Sequence, residues 1–403
     1  MLAERLRNVA PDALVEVIDH HVRSELGGLR ADVLLADYRI AGLWPVLRPD
    51  DPTQGLLAEQ NIAARCYARQ EPMIEDVPET PGVRLYVPLS VWGERLGILV
   101  ADFPAQPDDG TVRHCRGISD DLAVALRAAD RDTDRYRLAR RRGRLSMAAE
   151  MQWDLLPGRC VTDHGYVLAG QLEPAYRTSG DNFDWAINDG RLTVTVVNGN
   201  GTGLAASALT SLAVNAMRNA RRSGGTLVEQ AELASDTLFA AHHGARPIEA
   251  LLLEYDAGSG HVKAVDAGSP RAWRVRAGAV APVVLEEQLP LGMFEENRYG
   301  VQSFEMSVGD RLFVVSDGVH GAAPGGRESY GERYLAAAFR AARLSPPAQA
   351  IGAVMHALHD YHGDIEIEDD AVIVCLDRTH PVSGTAGVVD QITSKRMVEA
   401  APG

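Results

Sequence analysis

Three aspartates, Asp181, Asp317 and Asp369, stand where strand-like runs of the sequence end or loops begin. Hard divalent cations such as Mg²⁺ and Mn²⁺ take oxygen ligands, chiefly carboxylates and water. Two such ions about 4 Å apart can activate a water and steady the phosphoryl group it attacks. Aspartates at strand ends suit that task because a sheet fixes their positions. The three segments are Ser179-Gly180-Asp181-Asn182-Phe183-Asp184, Val314-Val315-Ser316-Asp317-Gly318-Val319 and Asp369-Asp370-Ala371-Val372. One Asp-Gly pair alone marks a turn. All three in this order, each beside a strand-like run, form a candidate acidic metal site.

The elements that must position them alternate short strands with amphipathic helices. Strands are expected at Val167–Glu173, Phe183–Asn188, Leu192–Val197, Ala250–Asp256, His261–Ala267, Trp273–Ala277, Tyr299–Met306, Arg311–Ser316 and Ala371–Leu376. The run LLLEYDAGSGHVKAVDAG reads as a hairpin around Gly-Ser-Gly. Helices are expected at Gly203–Arg222, Leu227–His242, Glu332–Leu344 and Ala348–Tyr361. Ahead of these, residues 1–120 read as a separate α/β unit with an opening helix and the hairpin VRLYVPLSVWGERLGILVADF. One long helix is expected from Thr111 to Leu156, with a weak heptad through Leu138, Leu145 and Gln152. It carries a basic run, Arg135, Arg137, Arg140, Arg141, Arg142 and Arg144, read as a solvated face or a contact to acidic surface.

The motifs resemble those of the sporulation-type (SpoIIE) metal-dependent serine/threonine phosphatases, a branch of the protein phosphatase 2C family. The resemblance spans about residues 145–377. Ala148 to Pro157 is similar to a leading helix ending in Leu-Leu-Pro, and Ser179 to Asp184 to Gly-Gly-Asp-x-x-Asp. Gly201-Thr202-Gly203-Leu204-Ala205-Ala206 is similar to Gly-His-Gly-x-x-Ala, and Leu289-Pro290-Leu291-Gly292 to a family loop. Ser316 to Val319 is similar to Thr-Asp-Gly-Val, and Asp369-Asp370-Ala371 to the closing Asp-Asp motif.

The resemblance implies an α+β protein whose C-terminal domain, residues 159–378, is a β-sandwich flanked by helices. It implies Mn²⁺ or Mg²⁺, one or two ions, held by Asp181, Asn198, Gly199, Asp317 and Asp369, with Asp181, Asn198, Asp317 and Asp369 as the catalytic set. The implied substrate is a phosphorylated regulatory protein of the anti-sigma-factor-antagonist type. Residues 1–120 resemble a GAF sensor domain. With residues 121–158 as a linker helix, the expected arrangement is a homodimer formed through that helix.

Four positions depart from the family pattern. Asn198 stands for the bridging aspartate, Thr202 for the following histidine, Ser269 for a second histidine, and Val372 for the usual threonine. A bridging aspartate offers two anionic oxygens. An asparagine offers one neutral carbonyl oxygen and an NH₂ that repels cations. The second ion should therefore bind weakly, and loss of about 4 kcal/mol in a transition state is roughly a thousandfold in rate. Two readings follow: a working phosphatase with altered metal demand, or a pseudophosphatase that binds a signalling partner. Asn198-Gly199 is also a deamidation sequence, and conversion to aspartate would restore the carboxylate.

The remaining features exclude more than they assign. A net charge of −15 over 403 residues argues against a nucleic-acid or anionic-membrane partner. No apolar run is long enough to span a bilayer, and the opening helix lacks a signal core, so a cytoplasmic location is expected. Cys66, Cys115, Cys160 and Cys375 are scattered and read as reduced thiols. His242-His243 read as a helix end, and His356, His359 and His362 as a solvated helix face. Asp364, Glu366, Glu368 and Asp370 are read as adding field and solubility around Asp369. Residues 379–403, rich in Gly, Ser and Thr, are expected to be a disordered tail.

Overall fold

The computed structural model describes residues 2–38, 40–48, 55–56, 61–77, 82–141, 146–175 and 179–380. The chain divides into two compact units, Met1–Arg144 and Leu145–Gly403. The tail expected beyond residue 380 lies outside the described residues.

In the N-terminal unit, α1 (Leu2–Asn8) and α2 (Leu14–Glu25) lead into β1 (Arg30–Ala36), β2 (Gly42–Pro45) and β3 (Gly55–Leu56). α3 (Ile62–Arg69), β4 (Met73–Asp76), β5 (Val83–Val91) and β6 (Glu94–Phe103) follow, then α4 (Asp109–Ala129) and α5 (Arg135–Arg140). The six strands form one sheet in the order β3-β2-β1-β6-β5-β4. α2 and α4 cover one face with Val15, Ile18, Val22, Ile118 and Leu122, and α3 packs Ala63, Cys66 and Tyr67 on the other. The hairpin read from the sequence is β5–β6, with Trp92 and Gly93 as its turn.

The single helix expected over Thr111–Leu156 is not present. α4 ends at Ala129, α5 spans six residues, and α6 (Met147–Leu155) starts afresh from an N-cap at Ser146, whose hydroxyl accepts from the Ala149 N–H. Asp130 to Asp134 interrupts the helix with residues that compete for backbone hydrogen bonds. α5 folds back onto its own unit: the Tyr136 hydroxyl donates to the Pro11 carbonyl, Arg140 to the Ala36 carbonyl, and Arg135 pairs with Glu16 at 2.6 Å. Part of the basic run thus meets acidic and carbonyl groups of this chain. Arg142, Arg144 and Leu145 lie outside the described residues, and the continuous helix on which the dimer expectation rested is replaced by these shorter pieces.

The C-terminal unit is a two-sheet sandwich. After α6 come β7 (Cys160–Asp163), β8 (Tyr166–Glu173), β9 (Asn182–Asn188), β10 (Arg191–Asn198), α7 (Leu204–Arg222) and α8 (Leu227–His242). Next are β11 (Glu249–Asp256), β12 (His261–Ala267), β13 (Arg271–Arg276), β14 (Ala279–Pro282), β15 (Gln302–Glu305) and β16 (Arg311–Val315). The chain continues through α9 (Asp317–His320), α10 (Tyr330–Arg333), α11 (Leu335–Ala341), α12 (Pro347–His362) and β17 (Ala371–Arg378). One sheet has the order β15-β12-β11-β10-β9 and the other β14-β13-β16-β17-β8-β7, all pairs antiparallel.

Alternation of side chains along each strand builds the layers. Val194, Val196, Leu251 and Leu253 of one sheet meet Leu168, Leu312, Val314 and Val374 of the other in the inter-sheet core. Their neighbours Val197, Ala250 and Leu252 pack outward under α7 and α8, while Phe313, Val315 and Ile373 pack under α11 and α12. The helix expected over Glu332–Leu344 is broken into α10, α11 and a terminal 3₁₀ turn.

The histidines of α12 do not share one solvated face. Six residues turn an α-helix by about 600°, so positions 356 and 362 point well apart. His356 is exposed and His362 is buried.

Candidate metal centre

The acidic residues converge because four strands end at the same rim of the sandwich. Val197 pairs with Asn182, which brings Asp181 beside the end of β10. In the facing sheet Val315 pairs with Ile373, which sets Asp317 beside Asp369 and Asp370. Oxygens of Asp181, Asp317 and Asp369, one from each, lie within 4.8 Å of one another. These are the three aspartates singled out in the sequence, although Asp317 opens the short helix α9 rather than a loop.

Asp181 is 1% exposed. Its Oδ1 accepts from the Gly199 N–H at 2.9 Å, while Oδ2 is buried with no hydrogen-bond partner. Burial, then the charges of Asp317, Asp369 and Asp370, holds its carboxyl well above the usual carboxylate range. Burial, then Asp369, pushes Asp317 up to about 6, with Glu249 adding to the same effect and the Gly318 N–H opposing it. Three carboxylates this close, one with an idle buried oxygen, repel one another unless a cation lies among them. The donor set is all oxygen, which fits a hard divalent ion. Asp181, Asp317 and Asp369 are the side chains placed to hold it.

Asn198 is the last residue of β10 rather than part of the following loop, and it is 2% exposed. Both its amide oxygen and its amide nitrogen are buried without partners. Gly199 passes so close to Ser179 and Gly180 that a Cβ there would overlap the Ser179 carbonyl oxygen. The Gly199 nitrogen, the atom that would attack Asn198 in deamidation, is the one donating to Asp181. That bond and the strand pairing of Asn198 oppose the conversion.

Asp370 does more than add field and solubility. It is fully buried and accepts five hydrogen bonds: Oδ1 from the Ala175 N–H at 2.8 Å, and Oδ2 from the N–H groups of Ser179, Gly180 and Asp181 and from Gln152 Nε2 at 2.6 Å. Its carboxylate thereby organises the turn that presents Asp181. Gln152 of α6 also donates to the Asp181 carbonyl at 3.0 Å, and its own carbonyl accepts from Asn182. Neither role was legible in the sequence: Asp370 stands directly beside Asp369, and Gln152 is distant in the chain.

Asp184, three residues after Asp181, is locked between two guanidiniums of α7, Arg218 at 2.7 Å and Arg221 at 2.9 Å. It ties β9 to α7 rather than touching the site. Thr202 is exposed, and the Ser269 carbonyl instead meets His320 Nε2 at 2.9 Å. Burial, before any other influence, lowers the His320 pKa.

Residues 188–379 match the family model described as Stage II sporulation protein E (SpoIIE). Over those residues the chain is similar to the SpoIIE family. No curated protein matches the chain. Among solved structures, the RsbU and RsbW domains of Rv1364c from Mycobacterium tuberculosis share 21% identity at a TM-score of 0.50, covering 60% of this chain and 70% of that one. The SiaA-PP2C domain of Pseudomonas aeruginosa is 19% identical, covering 52% and 85% at a TM-score of 0.46. A PP2C phosphatase domain with a regulatory fragment of SpoIIE from Bacillus subtilis is 15% identical, covering 78% and 84% at 0.46. At 21% identity the likeness to the RsbU and RsbW domains is one of fold.

Proposed function

We propose that the SpoIIE-like domain hydrolyses phosphoserine or phosphothreonine on a regulatory protein, using Mn²⁺ or Mg²⁺. The observation that carries this reading is the trio Asp181, Asp317 and Asp369, with oxygens within 4.8 Å and a buried, unpartnered oxygen on Asp181. A divalent ion held there supplies an activated water and positive charge for a phosphoryl group. Asp317 and Asp369 present carboxylates from one sheet, and Asp181 presents one from the other. Asp370 and Gln152 fix the Asp181 turn so that the cluster is held before any ion binds. The resemblance stated above supports an anti-sigma-factor antagonist as the phosphoprotein, and the N-terminal unit as a GAF-like module that regulates the domain.

A second reading is favoured by Asn198. Its neutral amide sits buried at the rim, where the family has a bridging carboxylate. On that reading the domain binds a partner without turning it over. The deciding experiment is Mn²⁺-dependent phosphate release from a phosphoserine protein substrate by the wild type, Asn198→Asp and Asp317→Asn. Activity in the wild type that Asp317→Asn abolishes supports the phosphatase. A silent wild type made active by Asn198→Asp supports the binding module.

A further inference from the structure

We propose that Glu249 supplies the negative charge that Asn198 lacks, making it a fourth carboxylate of the metal centre. The proposal rests on the metal-dependent reading above. The antiparallel register of β10 and β11 sets Asn198 directly opposite Glu249. Directly opposed residues carry their side chains on the same face, with Cβ atoms about 5 Å apart.

Alternation identifies that face. Val194 and Val196 point into the inter-sheet core, as do Leu251 and Leu253, whereas Val197, Ala250 and Leu252 point to α7 and α8. Asn198 and Glu249 continue the inward series on their strands, at the rim where Asp181 and Asp317 lie. Glu249 is only partly exposed.

The next strand makes room for this side chain. Gly268 lies beside it, and a Cβ at that position would overlap the Glu249 side chain. The Ser269 N–H then donates to Glu249 Oε2 at 3.3 Å. The Ser269 carbonyl meets His320, which ends the helix that Asp317 begins. Glu249 is thus linked through one residue to α9, the helix that Asp317 opens.

An acidic cluster alone would not argue for a ligand. Here the buried, unpartnered Asp181 Oδ2 and the buried, unpartnered Asn198 amide mark the place where one is wanted. With Glu249 included, the rim carries four carboxylates although position 198 carries none. The loss at 198 and the charge at 249 then describe a relocated charge rather than a disabled centre.

The test is Mn²⁺ binding to the full chain, measured by calorimetry and by the electron paramagnetic resonance signal of free Mn²⁺. The proteins are the wild type, Glu249→Gln, Asp317→Asn, and the double variant carrying Asn198→Asp with Glu249→Gln. Glutamine keeps the size of Glu249 and can still accept from Ser269, and metal-free circular dichroism melts check folding. Glu249→Gln is expected to weaken Mn²⁺ binding about tenfold or more, and the double variant to recover it. Wild-type affinity in Glu249→Gln, with binding lost in Asp317→Asn, overturns the Glu249 assignment and leaves the metal centre standing. Weakened binding that the double variant does not recover overturns the exchange of charge between 198 and 249. Absence of Mn²⁺ binding in the wild type overturns both the assignment and the metal-dependent reading.

Discussion

Two carboxyls of the rim, Asp181 and Asp317, are held above the usual carboxylate range without metal. Asp317 is held up to about 6, against an ordinary value of 3.8. Between those two values the folded protein binds a proton that the unfolded chain has released. Stability therefore falls as pH rises through this window, the reverse of the usual salt-bridged aspartate. The penalty is absent below the unfolded value and complete above about 6. In metal-free protein, Asp317→Asn is expected to melt above the wild type at pH 7.5, with the gap closing toward pH 4. Thermal melts in chelator across that range check this, and a gap independent of pH would contradict it. Added Mn²⁺ is expected to stabilise the wild type most at the higher pH, where the carboxylates are ionised.

At the scale of elements, the sheets bring the acidic residues together and α7 braces the edge strand β9. β9 ends its sheet, and Asp184 on it is clamped by Arg218 and Arg221 of α7, with Arg218 also donating to the Leu155 carbonyl at the end of α6. All three charged side chains are largely buried. Removing one partner of a buried pair leaves uncompensated charge, at a cost of about 3–5 kcal/mol. Asp184→Ala is expected to lower the stability of the C-terminal unit by that amount in urea unfolding. The same clamp holds β9 where its first residues carry the Asp181 turn. The turn is held from its other side by Asp370, so its position depends on both sheets.

Across the whole molecule, each unit has its own core. Two clusters on the faces of one sheet serve the N-terminal unit, and three layers serve the C-terminal sandwich. No helix among the described residues is long and apolar enough to cross a membrane. The candidate metal-site side chains and the residues that brace them all belong to the C-terminal unit. A protein comprising residues 146–380 is therefore expected to fold and to bind Mn²⁺ with the affinity of the full chain. Calorimetric titration of that fragment checks it, and lost binding would show that the sandwich depends on the N-terminal unit for its order.

The sequence by itself determined the local matters. Period-two apolar runs marked β8 to β12, β16 and β17, and period-3.6 runs marked α7, α8 and α12, because side-chain alternation follows directly from backbone geometry. Asp181, Asp317 and Asp369 were legible because each sits in a short motif at a strand end. The continuous linker helix was misread because a heptad of scattered positions says little against the local competition of Asp130 to Asp134. The His356, His359 and His362 face was misread because three-residue steps drift around a helix. Tertiary structure alone decided that Asp370 is a buried organiser of the Asp181 turn, that Gln152 reaches the site from α6, and that Glu249 faces Asn198 across a strand pair. Those relations join residues far apart in the chain, and pairing register, which no local pattern of the sequence contains, is what sets them together.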